Sequence, residues 1–166
     1  MKKFLACLFV LTMGLSCTKE DPMSVCGCSP VDSPEFRLII KDDQNKDRLN
    51  TAFAGSFNKD NIKISYKENG VSKNISFIIR QPFSYGENLK NTFPFNQIMS
   101  TELVALRLSN KANEFFLDLG DGQVHTLTFD YDISKGNPEN VKIDGNLIHP
   151  EPSLPEMYRK IYYLLK

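Results

Sequence analysis

From residue 36 onward apolar and polar side chains alternate with a period of two, and this limits the fold more than any other feature of the chain. Phe36, Leu38 and Ile40 share one face of a short segment. In 61–67, Ile62, Ile64 and Tyr66 interleave with Lys63, Ser65 and Lys67, as in a strand with one face in a core and the other in water. Asn69-Gly70 follows, the pair favoured in a two-residue type I′ hairpin, where both central positions need positive φ. Val71, Ile75, Phe77 and Ile79 continue one face of the returning strand. Further strands are expected over 101–109, 114–119, 123–133 and 141–144, with turns at 110–113, Asp121-Gly122 and 136–140. Six or seven strands with little room for crossover helices predict an all-β fold, an antiparallel β-sandwich of Ig-like or transthyretin-like type.

The tail breaks the alternation. Ser153 and Glu156 are spaced as a capping box with Pro155 in the first turn, and Tyr158, Ile161, Tyr162 and Leu165 then fall on one helical face. The expectation is a short C-terminal helix. A last strand through 158–165 is the alternative, because these aromatic and β-branched residues also suit a sheet.

Residues 1–33 carry none of this patterning. Lys2 and Lys3 precede an apolar run over 4–15, and Gly14-Leu15-Ser16 leads into Cys17, the layout of a secretory signal peptide. Twelve helical residues reach about 18 Å, short of the roughly 30 Å hydrocarbon core, so a membrane span is not expected. The stretch resembles the lipobox of bacterial lipoproteins in the relaxed form of Bacteroidetes-type proteins, with Gly14 where that family most often has Leu. The resemblance implies removal of 1–16 and a diacylglyceryl thioether on Cys17. It also implies an acyl group such as palmitate on the new amine, and residence in the outer membrane. Two or more chains anchor stably where one binds only marginally. Thr18-Lys19-Glu20-Asp21 is similar to the short charged signal that sends some of these lipoproteins to the cell surface. The role of the small lipoproteins that the body loosely resembles is undefined, so the resemblance supplies a setting and no activity.

Residues 17–33 then read as a lipidated tether of Ser, Pro, Asp and Gly, long enough to reach about 50 Å, and 34–166 as a single domain. Cys26-Gly27-Cys28 lies in the tether. An oxidising compartment favours a local disulfide there, and Gly27 permits the turn. A redox dithiol would want a thioredoxin-like βαβ setting, and a metal site a second ligand pair; the sequence has neither.

Charge excludes one large class of function. Twenty basic and twenty acidic side chains cancel, and loss of Lys2 and Lys3 leaves 18 against 20, a side-chain sum of −2. Nucleic-acid binding needs a clustered Lys/Arg excess. No G-x-S-x-G, H-E-x-x-H or Walker A pattern occurs, and no cofactor is expected. Asp118 and His125 flank Asp121-Gly122 and invite a dyad. Burial instead favours a three-residue loop that pairs Leu117 with Leu127 and Phe115 with Phe129, sending Asp118 and His125 to opposite faces. Asp43, Asn45 and Asp47 match the start of an EF-hand loop, but Arg48 and Ala54 stand at its glycine and glutamate positions, so a polar turn is expected. Asp130 and Asp132 share an outward strand face, and His149 has no nucleophile near it in sequence.

The most informative stretch is 81–100, twenty residues without clear periodicity. Phe83, Tyr85, Phe93 and Phe95 lie there beside Pro82 and Pro94. They are candidates for a contact patch toward an envelope protein or a glycan, or else for a cover on one end of the sandwich core. The functional expectation is a lipid-anchored, non-enzymatic binding or assembly module. An envelope hydrolase or thiol enzyme, or a plain spacer, are the alternatives.

Overall fold

A computed structural model describes residues 33–155, 158 and 160–166. Two sheets face each other. The first has four strands: β1 (Phe36–Lys41), β4 (Ile78–Arg80), β7 (Gln97–Ser100) and β12 (Tyr162–Leu165), in the order β12-β1-β7-β4. The second has six: β2 (Lys63–Glu68), β3 (Val71–Asn74), β8 (Phe115–Asp118), β9 (Val124–Asp132), β10 (Asn137–Ile143) and β11 (Asn146–Leu147), in the order β11-β10-β9-β8-β2-β3. A separate hairpin joins β5 (Phe83–Tyr85) to β6 (Asn91–Phe93). The fold is an all-β sandwich with one short α-helix, α1 (Thr101–Leu108).

The inward side chains are those the alternation marks. Phe36, Leu38 and Ile40 meet Ile64, Phe115, Leu117, Leu127 and Phe129 in one core. The Phe36 ring lies 5.0 Å from Phe129 and stacks on Tyr162 at 6.3 Å, and Phe115 stacks on Phe129 at 5.6 Å. Asn69 and Gly70 take φ of 51° and 80° between β2 and β3, the expected I′ hairpin.

Four expectations need correction. The returning strand after Asn69-Gly70 is two strands, because the chain leaves the second sheet after Asn74 and joins the first at Ile78. Ile75 is buried at that corner, and the Ser76 N–H and hydroxyl donate to Glu102. Residues 101–108 form a helix, not a strand. The alternation of Val104, Leu106 and Leu108 is real, but Ser100 caps the Leu103 N–H, Glu102 sits in the first turn, and Leu103, Val104 and Leu106 are the residues buried.

The expected C-terminal helix is instead strand β12, which pairs parallel to β1, while every other strand pair described is antiparallel. Tyr162 and Leu164 face the main core, whereas Ile161 and Tyr163 join a second cluster on the other side of the sheet. A helix would have put Ile161 and Tyr162 on one face. Burial on both faces of a sheet favoured the strand. Finally, β8 and β9 pair Phe115 with Leu127 and Leu117 with His125, two residues from the expected register. A two-residue slip keeps every side chain on its face, so burial could not distinguish the two. Gly120 and Gly122, at φ of 81° and 82°, set the loop.

Candidate functional site

Sheet one is covered on both sides, and this fixes where the four aromatic candidates lie. In β1, Phe36, Leu38 and Ile40 point into the sandwich, and Ile39 points away from it, wholly buried. Ile39, Phe93, Phe95 and Ile161 make a second cluster, with Phe83, Tyr85, Leu154 and Tyr163 packed against it. The rings form a chain: Phe83 to Tyr85 at 6.1 Å, Phe83 to Phe93 at 5.4 Å, Phe93 to Phe95 at 5.6 Å. Phe93 and Phe95 are therefore core residues of this cluster. Phe83 and Tyr85 stay half-exposed at its rim. The stretch read as irregular holds a hairpin, and its aromatics are what seat the hairpin on the sheet.

Polar contacts fasten the same region. The Tyr85 hydroxyl donates to the Ser153 carbonyl at 3.2 Å, and the Gly86 N–H donates to the Tyr158 hydroxyl at 3.3 Å. Lys41 lies 4.2 Å from the centre of the Tyr163 ring and donates to Glu151 at 2.7 Å, both charged groups largely buried. Beneath this segment lies a cavity of about 540 Å³, lined by Lys135, Asn137, Glu151, Leu154, Tyr158 and Lys160. The lysines there are partnered: Lys135 reaches Glu139 at 2.7 Å and Asp132 at 3.2 Å.

The histidine dyad forms with a different carboxylate. Asp118 and His125 are on opposite faces, as their registry requires. His125 Nδ1 lies 2.6 Å from Asp144 Oδ2, while the Thr126 N–H donates to Asp144 Oδ1. The His125 contact, with help from Thr126, holds the Asp144 carboxyl below the usual range. Asp144 is placed by a tight Asp144-Gly145 turn, φ 52° and 78°, between β10 and β11. The Asp-Gly pair after an alternating strand was the available sequence signal for this turn. His125 is buried and its Nε2 has no partner among the described residues, while the Asp144 carboxylate it contacts stands half exposed at the surface.

The remaining candidates are held apart. Asp130 accepts from Asn140 and Arg107, each at 3.0 Å, and these bonds lower its carboxyl. Asp132 turns to Ser134 and Lys135, which bring it down to about 2. Arg107 also donates to the Phe129 carbonyl, beside an open groove of about 610 Å³ that includes Thr128, Asp130, Asn140 and Lys142. Asp42, not Asp43, organises the polar turn by accepting from the Gln44 and Lys46 N–H groups. Asp47 is buried and accepts from Leu49 and from both nitrogens of Asn96. No group of three His, Cys, Asp or Glu side chains suited to a metal ion occurs among the described residues. His149 is exposed. Cys17, Cys26 and Cys28 lie outside the described residues.

Fold and site thus define a class: an all-β sandwich in which His125, Asp130 and Asp132 bond to neighbouring side chains and an aromatic hairpin covers one sheet. No family model, curated protein or solved structure matches this chain.

Proposed function

We propose that this chain is a lipoprotein of the outer membrane, anchored through Cys17, whose β-sandwich serves as a non-enzymatic binding or assembly module. The observation that carries the address is the order of Lys2-Lys3, the apolar run and Gly14-Leu15-Ser16-Cys17. A tether over 17–33 would hold the domain clear of the lipid headgroups. No helix among the described residues is long and apolar enough to cross a membrane.

A binding role is favoured over catalysis by the way the chemical groups are used. His125 is bonded to Asp144, and Asp130 is held by Asn140 and Arg107. The rim rings Phe83 and Tyr85, beside Leu89 at 67% exposed, are the apolar surface a protein or glycan partner would meet.

Cell fractionation of the full chain beside Cys17→Ala tests the address. The native protein is expected in the outer-membrane fraction and the variant in the soluble one; equal solubility of both would overturn it. Turnover of any member of a glycan, peptide and thiol substrate panel, lost in Asp130→Asn or Cys28→Ser, would overturn the non-enzymatic half.

A further inference from the structure

We propose that the β5–β6 hairpin is a cover that lifts from the first sheet as a unit, and that the buried amide of Gln97 beneath it favours the opening. Strand register places Gln97 in a row across the outer face of that sheet. Arg80 pairs with Gln97, and Leu38 with Ile98, which sets Gln97 beside Ile39; Ile39 in turn pairs with Tyr163. Ile98 points into the main core, so Gln97 points the other way, toward the second cluster. Phe83 of the hairpin lies over the Arg80 guanidinium at 5.3 Å and closes that end of the row.

Gln97 is wholly buried, and neither its Nε2 nor its Oε1 has a hydrogen-bond partner among the described residues. A buried amide without partners carries a desolvation cost that water removes as soon as it gains access. Here the element in the way is the hairpin. It shares no backbone hydrogen bond with either large sheet and pairs only Phe83–Tyr85 with Asn91–Phe93. Its tip holds Asn88 and Leu89 in succession at φ of 54°, a conformation unfavourable for non-glycine residues, and exposes Leu89. The edge-on contact of Tyr85 with Tyr158, the tilted contact of Phe93 with Phe95, and the hydroxyls of Tyr85 and Tyr158 hold it down. A short unit with few backbone bonds and an unpaired amide under it belongs to the low end of the local stability range. Opening would expose Gln97 and Ile39, which the closed form buries between exposed Arg80 and part-buried Tyr163. This inference stands apart from the proposed membrane address.

Native-state amide exchange of the full chain, read by mass spectrometry, tests it. Amides of 83–93 are expected to exchange at least about tenfold faster than those of β9. Gln97→Met keeps the length of the side chain and removes the amide; it should slow hairpin exchange about tenfold and leave β9 unchanged. Phe83→Ala, which removes the ring over Arg80, should speed hairpin exchange about tenfold, again without moving β9. Hairpin exchange unchanged or faster in Gln97→Met would overturn the role of the amide. A parallel shift of hairpin and β9 in either variant would show one cooperative unit and overturn the cover.

Discussion

The first sheet has two covered faces, and they are built differently. Toward the second sheet, twenty buried residues interlock from both sides, so no single strand holds the layer together. Toward the hairpin, the buried apolar cluster has four members, one of them Phe93 of the cover itself, and the cover shares no backbone bonds with the sheet below. Both faces are served by the same strand, since β1 sends Phe36, Leu38 and Ile40 one way and Ile39 the other. The main core defines the fold, and the second cluster determines what the hairpin covers. Apolar area is shared unequally between the two, and stability should follow.

The largest expected effect tests the main core. Phe115→Ala removes a wholly buried ring that stacks on Phe129 and should cost about 3–5 kcal/mol of global stability, read as a lowered denaturant midpoint. Phe93→Ala is as buried but lies in the smaller cluster, which has room to collapse, so about 3 kcal/mol or less is expected. A Phe93 cost equal to that of Phe115 would break the comparison. Asp47→Ala comes next, at about 2 kcal/mol, because it strands the Leu49 and Asn96 donors that the carboxylate satisfies. Gly70→Ala should cost about 1 kcal/mol: the added methyl meets nothing, but the residue must hold φ of +80°.

The smallest effect is on pH dependence. Asp132 sits at about 2 instead of 3.8, and Asp144 is also lowered. The folded chain then binds fewer protons than the unfolded one in that interval. Stability is full above about pH 4 and falls as the pH drops toward 2. Asp132→Asn should flatten that fall in acid titration and leave the neutral-pH midpoint close to that of the native chain.

Alternation was legible wherever one face of a strand meets water, as in β2, where Ile64 alternates with exposed Lys63. The Asn69-Gly70 turn was legible because a two-residue loop leaves few residue choices. Where both faces are buried, the signal fails. Ile161, Tyr162 and Tyr163 are covered from two sides, and a run of apolar residues reads equally as helix or strand. The helix over 101–108 was hidden by side chains that also alternate, although Ser100 and Glu102 announce its start. At the site, the four aromatics were legible as a group, but their seat against Ile39 depends on a strand far away in sequence. Asp144 escaped notice as the partner of His125 because strand pairing, and not sequence proximity, joins them.

The intact mass of the protein extracted from cell envelopes tests the functional account most directly. The account predicts a chain beginning at Cys17 that carries a lipid-sized increment, with the increment absent from Cys17→Ala. A native mass equal to the bare polypeptide, or a chain starting at another residue, would contradict the anchor and with it the proposed function.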